Sequence, residues 1–376
     1  MRLPLSTVFT VIALAAPASR AAGPFTLNDT GQARCLDAGG ELGGDCAGSG
    51  QDGEFGRDAS KPFDGDGHAG FRFVRVCGNG DEAGQGGCPA EPVLGIEPQQ
   101  WACTRDRVTG LTWEIKTTDG SVRDMARQFT VVDVHEPSPL ALLDALNGAA
   151  ICGMTSWRLP GTLELHSIVD HSRPRGEGGL AIDQRYFPNT QPNDYHNAWP
   201  ADSWRTAIDF GRGFAHARIG IEPHYLRAVS SPKRPLPAPR YRPLGDGSQV
   251  EDGYTGLIWA RCPVGTTWST GACVGTPALF TWREALAWAA GQPGWRVPNA
   301  KEAMSRVGAQ ILDRPANPYY EAFPIRSEGA QWTSTPAPRE AGRAFQFVNG
   351  HDVLSQSLLT EAVHRPGTLL LVRDTR

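Results

Sequence analysis

Side chains that could bind a metal ion are concentrated in one short stretch. Glu164, His166, Asp170 and His171 lie within eight residues. His166 and Asp170 are four positions apart and would share one face of a helix. A zinc-type site needs three or four converging ligands, and the sequence places no others here. We therefore predict no metal site and interpret this stretch as the polar end of a helix.

A tetrapeptide offers a second candidate for metal chemistry. Residues 191–194 read Gln-Pro-Asn-Asp and resemble the loop with which C-type lectins hold calcium and sugar hydroxyls. Oxygen-rich side chains on such a turn would suit calcium. Asp64 and Asp66 form a weaker pattern of the same kind, more typical of a turn. We expect no cofactor, with calcium as the alternative that the sequence leaves open.

Aromatic side chains in the predicted long loops could stack on sugar rings. Loops on a rigid scaffold are where binding usually resides, although aromatic residues also pack loops against a core. The candidate ligand contacts are Tyr195, His196, Trp204, Tyr319 and Tyr320.

Catalytic motifs are missing from the sequence. It contains no Gly-x-Ser-x-Gly elbow, zinc-protease helix or phosphate-binding loop. We therefore expect a protein that is not an enzyme.

The elements that would position these residues occur twice. Thr-Gly-Leu-Thr-Trp at 109–113 and Trp-Arg-Leu-Pro at 157–160 return as Thr-Gly-Leu-Ile-Trp at 255–259 and Trp-Arg-Val-Pro at 295–298. Landmarks that recur in order over more than a hundred residues indicate a duplicated domain. We assign structural roles to the shared positions, which are Trp113, Trp157, Arg158, Pro160, Glu164, Trp259, Trp295, Arg296, Pro298 and Glu302.

Each copy predicts a strand followed by two helices. The strand is the Gly-Leu-x-Trp run, and the second helix follows the Trp-Arg-[Leu/Val]-Pro turn. Thr281 with Glu284 has the spacing of a capping box at the first helix of the second copy. Ser138 and Pro139 begin the equivalent helix of the first copy. The motif arginines are expected to bind loop carbonyls or a carboxylate such as Glu164 or Glu302.

The repeat also indicates how the eight cysteines pair. Cys103 and Cys152 both lack a cysteine counterpart in the second copy, and Cys262 and Cys273 lie in an insertion of that copy. Joint presence and joint absence predict two disulfides, Cys103–Cys152 and Cys262–Cys273. The remaining pairs are then Cys35–Cys46 and Cys77–Cys88. A metal site is disfavoured because the chain has no Cys-x-x-Cys.

The N-terminal residues indicate an exported protein. Arg2, the apolar run 8–16 and the small-x-small site 19–21 are typical of a secretion signal. We predict a signal peptide at 1–22, a glycine- and aspartate-rich segment at 23–100 docked on the first repeat, repeats at 101–230 and 245–376, and a basic Pro/Arg-rich linker at 231–244. The net charge of −4 does not favour nucleic-acid binding, and no later stretch is apolar enough to span a membrane.

The combined landmarks resemble the C-terminal domain family of the Legionella collagen-like adhesin. In that family a Gly-Leu-x-Trp strand, a Trp-x-x-Ala helix and a Trp-Arg-Leu-Pro turn precede a Trp-Ser-Ser-Thr strand and a final Val-Arg. Residues 282–285, 332–335 and 372–373 fit the later landmarks. The turn is also similar to that of the formylglycine-generating, C-type-lectin-like fold. The resemblance implies an α+β fold with two tandem C-type-lectin-like domains, each of two helices and short, mostly antiparallel strands.

These patterns predict an exported, non-catalytic binding or adhesion module. Its loops would recognise a glycan, a sulfated polysaccharide or a protein surface, in the periplasm, at the outer surface or after secretion. The alternative is a structural component of the cell envelope or of a surface appendage. An enzyme related to the formylglycine-generating fold is the third reading, which the predicted pairing of every cysteine disfavours.

Overall fold

A computed structural model describes most of the chain after residue 25. The described residues are 26–60, 66–67, 69–130, 138–173, 179–197, 204–219, 223–231, 239–308, 322–324, 329–338, 341–349 and 357–375. The predicted signal peptide lies outside them.

Short strands dominate the described residues. In chain order they are β1 Cys35–Leu36, β2 Leu42–Gly44, β3 Phe73–Cys77, β4 Trp101–Asp106, β5 Thr112–Glu114, β6 Asp194–His196, β7 Trp204–Asp209, β8 Phe214–Ile219, β9 Val229–Ser230, β10 Tyr241–Leu244, β11 Gln249–Asp252, β12 Ile258–Ala260, β13 Thr266–Ser269, β14 Ala272–Gly275, β15 Gly329–Pro336, β16 Arg343–Asn349, β17 Ser357–Ala362 and β18 Val372–Arg373. The helices are α1 Gly56–Ser60, α2 Pro139–Gly148, α3 Thr162–Ser167, α4 Trp282–Ala290 and α5 Ala300–Gly308. The named strands pair antiparallel, so the predicted α+β class is confirmed.

The duplication is visible as two equivalent four-stranded sheets. The first has the order β3-β4-β5-β9 and the second β10-β11-β12-β18. The tryptophans of the two Gly-Leu-x-Trp runs, Trp113 and Trp259, occupy β5 and β12, and both are fully buried. The same apolar position therefore anchors each sheet to its core.

The helices begin where the sequence predicts. The Ser138 side chain accepts a hydrogen bond from the backbone N–H of Ala141, with Pro139 next to it. In α4 the Thr281 N–H donates to the Glu284 carboxylate at 2.8 Å. These contacts satisfy backbone N–H groups that have no partner within a helix.

A third sheet joins the two repeats. Its order is β15-β16-β17-β8-β7-β6, so three strands come from each repeat and the junction pairs Leu358 with Ala215. Side chains of the two repeats also meet in one hydrophobic cluster. The Phe345 ring, for example, lies 4.7 Å from that of His171, centroid to centroid. The repeats thus share a sheet and a core, which the sequence did not predict.

The N-terminal segment divides between the two repeats. Strand β3 pairs with β4 of the first repeat. This pairing agrees with the expected docking of the N-terminal segment on that repeat. Residues 26–60, which we call the strap, contact both repeats: Asn28 donates to Asp106 of the first, and Leu36 packs in a cluster with Trp282 and Leu286 of the second. The expected docking on the first repeat is therefore incomplete for the strap, because Leu36 finds its apolar partners beside α4 of the second repeat.

The four disulfides join the predicted pairs. They are Cys35–Cys46, Cys77–Cys88, Cys103–Cys152 and Cys262–Cys273.

The predicted basic linker is partly structured. Its last four residues, 241–244, form β10. The Arg240 guanidinium just before them is buried and donates to both carboxylate oxygens of Asp252 at 2.7 Å. Arg242 pairs with Glu251. Arg240 therefore stabilises the second repeat and is not part of a solvated basic spacer, whereas the Arg242 side chain is 59% exposed.

Candidate functional site

The two predicted aromatic contacts whose side chains the structure describes are not exposed. Tyr195 and His196 lie on β6, and both are fully buried. Their expected exposure on a loop is wrong, because strand pairing with β7 places them in the core. Trp204 begins β7, with its side chain outside the described residues, as are Tyr319 and Tyr320.

The two sequence candidates for metal ligands are occupied by contacts within the protein. The Asp194 carboxylate is buried and lies 2.9 Å from His216 Nε2. The Asp170 carboxylate accepts hydrogen bonds from Ser172 and Arg173. Burial and the nearby Lys301 ammonium lower the pKa of His166 to about 3. Among the described residues, neither stretch belongs to a group of three or more converging metal-ligand side chains.

A group that the sequence did not reveal lies where the strap meets the second repeat. Carboxylate oxygens of Asp29, Asp52 and Asp58 are within 4.8 Å of one another, and all three residues are buried. Burial and the neighbouring carboxylates raise the pKa of Asp52 to about 8 and that of Asp58 to about 11. Carboxylates are the donors that calcium prefers. Two hydroxyls, of Thr30 and Thr335, donate to Asp52 at 2.6 Å each, which gives the group a structural explanation without a cation.

A buried lysine stabilises the same junction between the strap and the second repeat. Lys301 Nζ donates to the backbone carbonyls of Asp29 at 2.6 Å and Ser167 at 2.8 Å, and it lies 4.3 Å from the Phe71 ring centroid. Burial lowers the pKa of this ammonium to about 7. One side chain thereby connects the strap, the first repeat and the second repeat.

The arginines of the repeated turn have the predicted carboxylate partners. Arg158 donates through two nitrogens to Glu164, at 2.6 Å each. Arg296 makes the same contact with Glu302, at 2.5 and 2.6 Å. Each glutamate also accepts a backbone N–H at the start of its helix. The pair therefore locks the turn onto the helix that follows it.

The tryptophans of this turn differ between the repeats. Trp157 is 3% exposed and packs in a core cluster. Trp295 is half-buried, and the Arg373 guanidinium lies 5.0 Å from its ring centroid. The structural role predicted for both fits Trp157 closely, whereas Trp295 also lines a surface cavity.

That cavity and a second one adjoin between the strap and the second repeat. The first has a volume of about 380 Å³ and the second about 210 Å³. They share Phe55, Arg296 and Asp374. We call the two together the Trp295 groove. The combined volume is in the range of small-ligand sites.

The walls of the Trp295 groove combine apolar surface with polar groups. Trp295, Phe55 and Leu286 supply the apolar surface, and Gln292 an amide. Five carboxylates line the two cavities, those of Asp29, Asp52, Glu54, Glu302 and Asp374, against the guanidinium groups of Arg57 and Arg296. Such a site can take up a ligand ring and hydrogen-bond its hydroxyl or amino groups.

No pattern in the sequence marks this groove. Trp295 carries a motif signal, but the same motif leaves Trp157 buried. Phe55 lies 240 positions before Trp295, and no local pattern marks the two as neighbours.

Comparison with known families identifies the family to which the chain belongs. Residues 102–230 and 248–367 match the Lcl C-terminal domain. The chain belongs to this family. No curated protein and no solved structure matches it. The C-type-lectin-like architecture stays a prediction. The Trp295 groove has one wall in the second Lcl C-terminal domain and the other in the strap, which lies outside both matched segments.

Proposed function

We propose that this protein is an exported, non-catalytic adhesion module that binds surface carbohydrate in the Trp295 groove. Membership of the Lcl C-terminal domain family supports the adhesive role. The half-buried indole of Trp295 beside polar groups supports the ligand class, because an aromatic ring offers a flat apolar face and the polar groups fix orientation.

Disulfide chemistry supports export and the lack of catalysis. All eight cysteines are paired, as is usual for proteins of oxidising compartments. No thiol remains for the cysteine chemistry of the formylglycine-generating fold. No helix in the described ranges has the length and apolarity needed to cross a membrane.

A glycan array tests the proposal. The wild-type chain is probed with and without calcium, beside the variants Trp295→Ala and Trp268→Ala. Trp268 is a matched control, since it is also half-buried and has a guanidinium, that of Arg261, 3.6 Å from its ring centroid. It does not line either cavity of the groove.

We expect binding that Trp295→Ala abolishes and Trp268→Ala retains. Unchanged binding by Trp295→Ala would refute the placement of the site. Lack of any glycan binding, together with co-purification of an envelope protein, would favour the structural alternative.

A further inference from the structure

We propose that the Trp295 groove selects glycans bearing unmodified amino groups over acetylated or sulfated ones. This inference rests on the proposed function and assigns the ligand class of the same site. It follows from the charges that line the groove and from how each charge is already engaged.

Two carboxylates are placed to receive a cation. Glu54 is held by the backbone N–H groups of Gly48 and Gly50, at 3.0 and 2.7 Å. The Asp374 side chain is 74% exposed, and one of its oxygens accepts from Arg296 at 3.1 Å. Each carboxylate has about four lone-pair sites, so both retain capacity for the N–H donors of a ligand ammonium.

The arginine most central to the groove is already neutralised. Both terminal nitrogens of Arg296 are bound by Glu302, and one of them also by Asp374. Anion recognition by arginine uses the same paired donors, so a sulfate would have to displace Glu302. Arg373, over the Trp295 ring, donates to Gln249. The paired donors of Arg296 are therefore not available to a sulfated chain, and the second lining arginine, Arg57, donates its Nε–H to the Gly70 carbonyl.

The overall charge of the groove also favours a cationic ligand. Five carboxylates and two guanidinium groups line the groove. One of these carboxyls, that of Asp52, has a pKa raised to about 8 by burial and by Asp29, so it is mostly protonated at neutral pH. The other four carboxylates still outnumber the guanidinium groups of Arg57, Arg296 and Arg373, the last of which lies over Trp295. Such a surface attracts cationic ligands and repels anionic ones.

The aromatic walls add to this preference. The rings of Trp295 and Phe55 line the groove, and the ring surface that Arg373 and Arg296 do not cover would contact the apolar face of a sugar. A ligand ammonium close to an aromatic face gains a further electrostatic attraction. An N-acetyl group keeps the ring contact but removes the charge, so the two ligands isolate the contribution of the carboxylates.

Calorimetry with three probes tests the inference. The probes are a β-1,4-glucosamine oligomer, the N-acetylated oligomer of the same length and heparin. We expect the amine oligomer to bind about tenfold or more tightly than the acetylated one, which corresponds to about 1.4 kcal/mol. Heparin should not bind. Raising the salt from 0.05 to 0.5 M should weaken binding of the amine oligomer by severalfold.

Charge-removing variants complete the test. Asp374→Asn should reduce the preference for the amine oligomer at least threefold. Glu91→Gln should leave it unchanged, because this carboxylate pairs with Arg75 in the N-terminal segment, does not line the groove and is 86% exposed. Equal affinity for the amine and acetylated oligomers, or tighter binding of heparin, overturns the ligand class.

The outcomes separate the two proposals. If both oligomers bind equally and Trp295→Ala abolishes both, the groove is a carbohydrate site and the amine preference is wrong. If neither oligomer binds but another glycan of the array does, and Trp295→Ala loses it, the amine preference alone is wrong. If Trp295→Ala binds as wild type does, the proposed function itself fails at this site.

Discussion

Replacing Arg296 by methionine removes a bidentate ion pair while keeping most of the apolar stem. The side chains of Arg296 and Glu302 are 14% and 10% exposed, and those of Arg158 and Glu164 are 30% and 15% exposed. Breaking a buried pair costs about 3–5 kcal/mol, whereas an exposed pair contributes about 1 kcal/mol or less. We therefore expect Arg296→Met to lower the free energy of unfolding by about 3 kcal/mol and Arg158→Met by about 2 kcal/mol.

Urea unfolding followed by tryptophan fluorescence measures these losses. A double-mutant cycle of Arg296→Met with Glu302→Gln should give a coupling energy of about 2 kcal/mol. The first repeat serves as an internal control: Arg158→Met should weaken the fold but not ligand binding, because Arg158 does not line the groove. A coupling energy below about 0.5 kcal/mol would refute the assigned role of the pair.

Three further perturbations probe other parts of the fold. Replacing Cys103 and Cys152 by alanine should lower the free energy of unfolding by about 4 kcal/mol, because their disulfide has a sequence separation of 49; a loss under 1 kcal/mol in urea unfolding would contradict this. Lys301→Met should cost about 3 kcal/mol by leaving two buried carbonyls without their donor. Limited proteolysis should then cut first within the strap, residues 26–60. An unchanged digestion pattern would contradict the role of Lys301 in holding the strap against the two repeats. Because the pKa of Asp52 is raised from 3.8 to about 8, its folded carboxyl holds a proton that the unfolded chain releases, so stability falls as pH rises from about 4 to 8. Asp52→Asn should reduce that slope in thermal melts, with the remainder coming from Asp58, whose pKa is raised further; a slope identical to that of the wild type would contradict the contribution of Asp52.

Local patterns in the sequence predicted the parts of the fold that depend on local chemistry. The capping residues Ser138 and Thr281 mark their helices because a side chain and a backbone N–H a few positions away satisfy one another. The cysteine pairs emerged from comparing the repeats, since partners are gained or lost together. The motif arginines found Glu164 and Glu302 because each pair is only six residues apart.

Features that depend on distant contacts were not predicted. Strands β8 and β17 are separated by more than a hundred residues, and hydrophobic alternation shows that a strand exists without naming its neighbour. The Trp295 groove was not predicted for the same reason, because its two walls come from distant parts of the sequence. Tyr195 was misplaced for a related reason: its surroundings resemble a loop, and only its pairing with Ile208 on β7 shows that it is in the core.

The pairing of β8 with β17 has a consequence for how such molecules can evolve. Each of these strands would be an open edge in a solitary copy, with unsatisfied backbone groups that invite uncontrolled association. Here each copy caps the other, so the polypeptide is in effect a homodimer fused into one chain. A relative with a single copy would need a second molecule, or a substitute strand, at that edge.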